Sequence, residues 1–131
     1  MKINGEIKIR VRYSETDKMG FVYYGNYAEY FEVARVELLR KLGIIYSNLE
    51  DLNIGLPVKK FNIDYLKPAL YDEELSIYTS LELSPPSSLV FKYVTTNSKK
   101  EKINTAITTL VAIDLKSKRP IKIPKVISEL F

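Results

Sequence analysis

Tyr27, Tyr30, Phe31, Ala34, Leu38 and Leu42 recur at intervals of three and four residues, which is the stripe of one long amphipathic helix. Most of the remaining chain alternates apolar and polar residues with period two. A single long helix of this kind must bury its stripe, and the surface available to it is one face of a sheet. The helix is expected from Tyr24 to Asn26 through about Leu42, with Arg40 and Lys41 in its last turn and Gly43 as a left-handed stop. On its polar side Glu37 and Lys41 stand i, i+4 and Glu32 and Arg35 stand i, i+3, the spacings of surface ion pairs.

The first strand is read from Ile7, Ile9, Val11 and Tyr13, which alternate with Glu6, Lys8, Arg10 and Arg12. After the helix, Ser47-Asn48-Leu49-Glu50 has the form of a capping box opening a short helix that Asn53 and Gly55 end. A second strand from Leu56 to Tyr65 changes parity near Lys59 and Lys60, which predicts a bulge, and Pro68 closes it. A third is carried by Leu75, Ile77, Thr79, Leu81 and Leu83, and the Ser84 to Ser88 cluster with two prolines is a loop. A fourth runs from Leu89 to Thr96, with a hairpin at Asn97 to Lys100. The fifth is expected to be the longest, Lys102 to Leu115, with Ile103, Thr105, Ile107, Thr109, Val111 and Ile113 in one register and Ala106, Leu110 and Ala112 making the other face apolar as well. Covering both faces calls for the helix on one side and a second subunit or the C-terminal segment on the other. A last short helix opens at Pro124. Hairpin-length and short-loop connections make the sheet antiparallel, and residues 1–131 read as one α+β domain without repeats or linkers.

The chemically distinctive stretch is Arg12 to Arg35, which joins a strand end, an acidic turn with Glu15, Thr16, Asp17 and Gly20, and the helix start. The first turn of a helix carries unpaired N–H groups and the positive end of the dipole, so it can hold a developing oxyanion while a nearby carboxylate attacks or activates water. The same pattern also fits an Asp17 that only stabilises a turn. Tyr13, Tyr23 and Phe61 are candidates for an apolar slot, although such residues are more often plain core.

Asp17, Gly20, Val22, Tyr23, Tyr24, Asn26 and Tyr27, followed by Phe31 to Arg35 as F-E-x-A-R, form an ordered motif that resembles the 4-hydroxybenzoyl-CoA thioesterase family, including its Tol-Pal-associated acyl-CoA thioesterases. The resemblance continues through Gly55 to Val58 and Asp64 to Pro68. It implies a hot-dog fold, an antiparallel five-stranded sheet wrapped around a long central helix. It also implies hydrolysis of acyl-CoA to free acid and coenzyme A. Asp17 would then be the catalytic carboxylate, as nucleophile or general base, and the Tyr24 backbone N–H would polarise the thioester carbonyl. Many bacterial members carry His at the position of Tyr24. Asn26 falls within the motif as a substrate-binding candidate, Glu32 stands where other hot-dog groups use a helix carboxylate, and a site shared between subunits implies a homodimer or homotetramer.

Composition narrows the chemistry. With no Cys and no His, the chain can build neither a Ser-His-Asp nor a Cys-His arrangement and lacks the usual transition-metal ligands, so no metal and no cofactor is expected. A net charge of +4 favours an anionic substrate such as coenzyme A, with Lys59, Lys60, Lys118 and Arg119 as phosphate candidates, but falls short of a nucleic-acid binder. The N-terminal MKINGEIKIR has no apolar leader core and no apolar run reaches spanning length, so a cytoplasmic protein without an integral membrane span is expected. The competing reading from another class is a noncatalytic acyl-thioester or lipid-binding module with the same pocket.

Overall fold

The computed structural model describes residues 3–131, so Met1 and Lys2 of the charged N-terminal stretch lie outside it. Its elements in chain order are β1 (Ile3–Arg10), α1 (Tyr27–Lys41), α2 (Tyr46–Asp51), β2 (Ile54–Gly55), β3 (Val58–Tyr65), β4 (Glu74–Ser84), β5 (Ser88–Thr96), β6 (Lys102–Val111), β7 (Ile113–Asp114) and α3 (Lys125–Ser128). Single 3₁₀ turns occupy Tyr13–Glu15 and Tyr24–Asn26, the second leading directly into α1.

The long helix buries Tyr27, Tyr30, Phe31, Ala34, Leu38 and Leu39 against one face of a five-stranded antiparallel sheet of order β1-β4-β5-β6-β3. This is the α+β hot-dog arrangement. The sheet answers with Leu75, Ile77 and Leu81 of β4, Leu89, Phe91 and Tyr93 of β5, and Ala106 and Leu110 of β6. Phe31 stacks on Tyr93 with ring centroids 4.3 Å apart. Burying a side chain of that size stabilises by about 1.5–3 kcal/mol, so Phe31 at 0% exposure anchors the helix on the sheet. β1 crosses the helix at Gly5, where a β-carbon would lie 2.7 Å from Leu38 Cδ1. The helix ends as its sequence requires: Gly43 has φ +88, its N–H donates to Arg40 O, and Ile44 N–H reaches back to Leu39 O, the paired bonds of a Schellman cap.

Several expectations are corrected. β1 stops at Arg10 rather than continuing to Tyr13, because the chain leaves the sheet in a 3₁₀ turn and Tyr13 becomes 78% exposed. The Ser47 to Glu50 capping box does not form. α2 begins at Tyr46 after an extended Ile45, whose carbonyl accepts the Asn48 and Leu49 amides, so Ser47 lies inside the helix. The strands are not all joined as neighbours. β3 pairs with β6 at the far edge, and the chain then crosses to β4 beside β1, while the expected bulge falls between Val58 and Lys60.

In β6 the helix-facing row is Asn104, Ala106, Thr108 and Leu110, whereas Ile107 is 39% exposed. The small residues lie inward because their cross-strand partners are large: Tyr93 stands opposite Ala106 and Phe91 opposite Thr108, so volume is shared across the row. β6 also ends at Val111, and after Ala112 the short β7 pairs with β2. Finally, Arg35 is not a surface partner of Glu32. It is 8% exposed and donates from Nη1 to the Tyr93 hydroxyl at 3.2 Å, which is itself 2.6 Å from Thr108 Oγ1. On the outer face Glu37 pairs with Arg40 instead of Lys41.

Candidate active site

The turn between β1 and α1 is held by a buried carboxylate, that of Glu15. It accepts the Arg12 backbone N–H at 2.9 Å, Arg12 Nη2 at 2.6 Å, Arg12 Nε at 3.1 Å and the Tyr30 hydroxyl at 2.9 Å. Burial alone would raise the Glu15 pKa, but the Arg12 and Tyr30 hydrogen bonds outweigh it and hold the carboxyl below its usual range. The Glu15 carbonyl in turn accepts the Tyr23 amide and the Asn26 side-chain amide, both at 2.8 Å. Glu15 therefore clamps the acidic turn to the helix start. Sequence reasoning named it without seeing that part, because neither Tyr30 nor Asn26 is close to it along the chain.

Asp17 sits in the next loop. Its Oδ1 accepts the Met19 and Phe21 amides at 2.9 and 3.2 Å, and Gly20 closes the loop with φ +79. Among the described residues no hydrogen bond engages Oδ2, so one oxygen is fixed and the other is unengaged. The loop is fastened to the segment after β3 by Val22 N–H on Ala69 O at 2.8 Å and by the Phe21–Leu70 bridge.

Asp17 and Tyr24 line one open cavity of about 370 Å³ with Met19, Tyr27, Tyr65 and Lys67. Tyr24 opens the 3₁₀ turn before α1, and its N–H has no acceptor among the described residues, as expected at the first position of a helical turn. Its carbonyl accepts the Tyr65 hydroxyl at 3.2 Å. Burial pushes the Tyr27 phenol well above its usual range, and partial burial and Tyr24 raise that of Tyr65, so both remain neutral donors at physiological pH.

The other candidates are spread out. Tyr13 borders a different cavity that also touches Asp17, where its ring is edge-on to Tyr71. The Tyr23 ring packs beside that of Tyr24 at 4.7 Å, and the Asn26 amide is committed to Glu15. Phe61 and Glu32 border a separate cavity of about 280 Å³ between α1 and β3, with Arg35 as a neighbour. Lys59 and Lys60 are exposed on β3 and do not border the Asp17 cavity, and Lys118 and Arg119 lie in the turn after β7. Residue-by-residue reasoning missed Met19, Tyr65 and Lys67 as lining residues. The available signal was the Asp64 to Pro68 stretch, which belongs to the motif-bearing part of the sequence. Lys67 is ion-paired with Glu101.

A five-stranded antiparallel sheet wrapped on one long helix, with a carboxylate loop at the helix start, defines a hot-dog protein. The model of the thioesterase-like superfamily matches residues 11–131, and the chain belongs to that superfamily. It is thus an enzyme of the thioesterase class. It is 36% identical over 118 residues to a putative acyl-CoA thioesterase, YneP, of Bacillus subtilis, covering 90% of this chain and 86% of the relative. It is 32% identical over 117 residues to the acyl-CoA thioester hydrolase YbgC of Escherichia coli, covering 89% and 87%. The crystal structure of a DHNA-CoA thioesterase from Staphylococcus aureus superposes with a TM-score of 0.90 at 35% identity, over 97% of this chain and 90% of that one. No helix among the described residues is long and apolar enough to cross a membrane, and no group of potential metal ligands occurs among them.

Proposed function

We propose that this protein hydrolyses acyl-CoA thioesters, with Asp17 as the reacting carboxylate and the Tyr24 backbone N–H as oxyanion donor. The observation that carries this reading is the pairing of a carboxylate oxygen without a hydrogen bond and an amide without an acceptor on the wall of one cavity. The thioester carbonyl oxygen would point at the Tyr24 amide, which stabilises the charge that develops there. In the nucleophilic form, Asp17 Oδ2 bonds to the carbonyl carbon, the C–S bond breaks and coenzyme A leaves as the thiolate. Water then cleaves the resulting anhydride and restores Asp17. In the general-base form, Asp17 takes a proton from water as the water oxygen attacks, and the proton passes to the departing sulfur. Tyr27 and Tyr65 would line the acyl side. Release of thiol from a panel of acyl-CoAs, with Asp17→Asn as control, tests this reading. Saturable acyl-CoA binding without thiol release would instead establish the noncatalytic module.

The active assembly is proposed to be at least a dimer that meets at β3. This edge strand exposes Val58, Phe61 and Tyr65, at 47%, 39% and 49%. The other edge, β1, presents Lys8 and Arg10 paired with Glu74, a charged edge that resists strand addition.

A further inference from the structure

Asn26 occupies the N-cap of α1 and does not cap it. Asparagine is favoured at that position because its side-chain oxygen accepts an amide of the first turn, yet the Asn26 side chain makes no such bond. It reaches eleven residues back instead, and its Nδ2 donates to Glu15 O at 2.8 Å. We propose that Asn26 is a positioning residue, which aims the Tyr24 amide into the cavity shared with Asp17 rather than touching substrate. The inference rests on the reading of Asp17 and Tyr24 above and adds the part that holds the two in register.

The Tyr24 N–H belongs to the peptide group whose carbonyl is that of Tyr23. A trans peptide is planar, with its C=O and N–H pointing in opposite directions, so whatever fixes Tyr23 O aims the Tyr24 N–H. The backbone N–H of Asn26 does this, donating to Tyr23 O at 2.9 Å. The Asn26 side chain and the Tyr23 N–H then share Glu15 O, each at 2.8 Å, which uses both lone pairs of that carbonyl. The turn from Tyr23 to Asn26 is thus pinned at both ends to one atom. From Glu15 the chain passes through the Thr16–Val22 bridge into the Asp17 loop, where the Asp17 amide donates to Phe21 O at 2.8 Å. One backbone carbonyl therefore sets the carboxylate loop against the oxyanion amide. Among the described residues Asn26 is the side chain that donates to it.

The test uses Asn26→Asp, which keeps the shape and remains a favoured residue at a helix start but has no donor for Glu15 O. In butyryl-CoA hydrolysis kcat should fall by about 10- to 100-fold, the effect of a misaimed oxyanion donor, with KM within about twofold. Asn26→Ser, too short to reach Glu15 O, should give the same split and serves should the aspartate variant not fold. Gly43→Ala, at the far end of α1, should keep kcat and so controls for a general loss of stability. A kcat within about twofold of wild type in the Asn26 variants, or a rise in KM at unchanged kcat, overturns the assignment. Asp17→Asn run in parallel separates the two claims: normal turnover there beside slow Asn26 variants removes Asp17 as the reacting group and keeps the positioning role. Hydrogen exchange reads the clamp with no substrate present. The Tyr23 and Asn26 amides should exchange about tenfold faster in Asn26→Asp, as expected for the loss of one hydrogen bond, while those of Leu38 and Leu39 stay unchanged. Faster exchange supports the clamp even if no thioester is cleaved, and unchanged exchange at Tyr23 refutes it.

Discussion

In the proposed mechanism Asp17 and Tyr24 contribute different groups, and substitution separates them. Asp17→Asn keeps the shape and the Oδ1 bonds to Met19 and Phe21 but removes the nucleophile or base, so kcat should fall by about two orders of magnitude or more. Tyr24→Phe retains the backbone N–H, and kcat should change by less than about tenfold. Equal large losses in steady-state thiol release would implicate the Tyr24 phenol instead. Glu15 belongs to stability rather than to chemistry. Glu15→Gln keeps the volume but lowers the strength of four hydrogen bonds, and a loss of about 1–3 kcal/mol is expected in urea denaturation at neutral pH. The sign of its pH dependence follows from the direction of the shift. A folded-state pKa below the unfolded value means the stabilisation is present above the ordinary glutamate range and fades as pH falls through the folded pKa. The gap between wild type and Glu15→Gln should therefore narrow in acid, and a gap that widens there would refute the clamp. The Glu15 clamp could not be read from spacing, although Asp17 and Tyr24 stand within one motif: its partner Tyr30 is fifteen residues from Glu15.

The elements were legible where periodicity and termination agree. α1 has both, and its stop is testable. Gly43 sits at φ +88 in open space, so Gly43→Ala meets no clash and pays only the left-handed backbone cost, about 1 kcal/mol. A Tm unchanged by the substitution would mean that the cap can re-form in another geometry. β4 and β5 were equally clear, since Leu75, Ile77, Leu81, Leu89, Phe91 and Tyr93 are all buried as their alternation requires. β6 was read too long, to Leu115 where it ends at Val111, and its inward face was left open, because both faces are apolar enough to be core and alternation cannot choose between them. The choice is made across strands, by Tyr93 and Phe91 seeking small partners in Ala106 and Thr108. Arg35 was misread for a related reason. Its spacing from Glu32 fits a surface pair, yet the phenol of Tyr93, fifty-eight residues away, lies within reach on the inner face and draws the guanidinium into the core.

For the molecule as a whole, the sheet has two edges and only one is defended. All of β3 is at least partly exposed, and it carries Val58, Phe61 and Tyr65 on a strand whose outer hydrogen-bonding edge pairs with no other strand among the described residues. Tyr65 also borders the Asp17 cavity, so whatever covers β3 closes the site as well. If a second copy does so, Phe61→Lys places a charge in a strand-to-strand contact and should convert the protein to monomer with a loss of kcat/KM. Within one chain the same change is mild. Phe61 is 39% exposed and touches the core mainly through an edge-on contact with Phe31 at 5.9 Å, so the folded monomer should lose about 1–2 kcal/mol at most. Light scattering with thiol release at several protein concentrations separates the cases. A folded Phe61→Lys monomer that regains activity as concentration rises supports a site completed by association. A variant that keeps the wild-type mass and turnover removes β3 as the interface, and a wild-type monomer with full activity at micromolar concentration removes the requirement for association altogether.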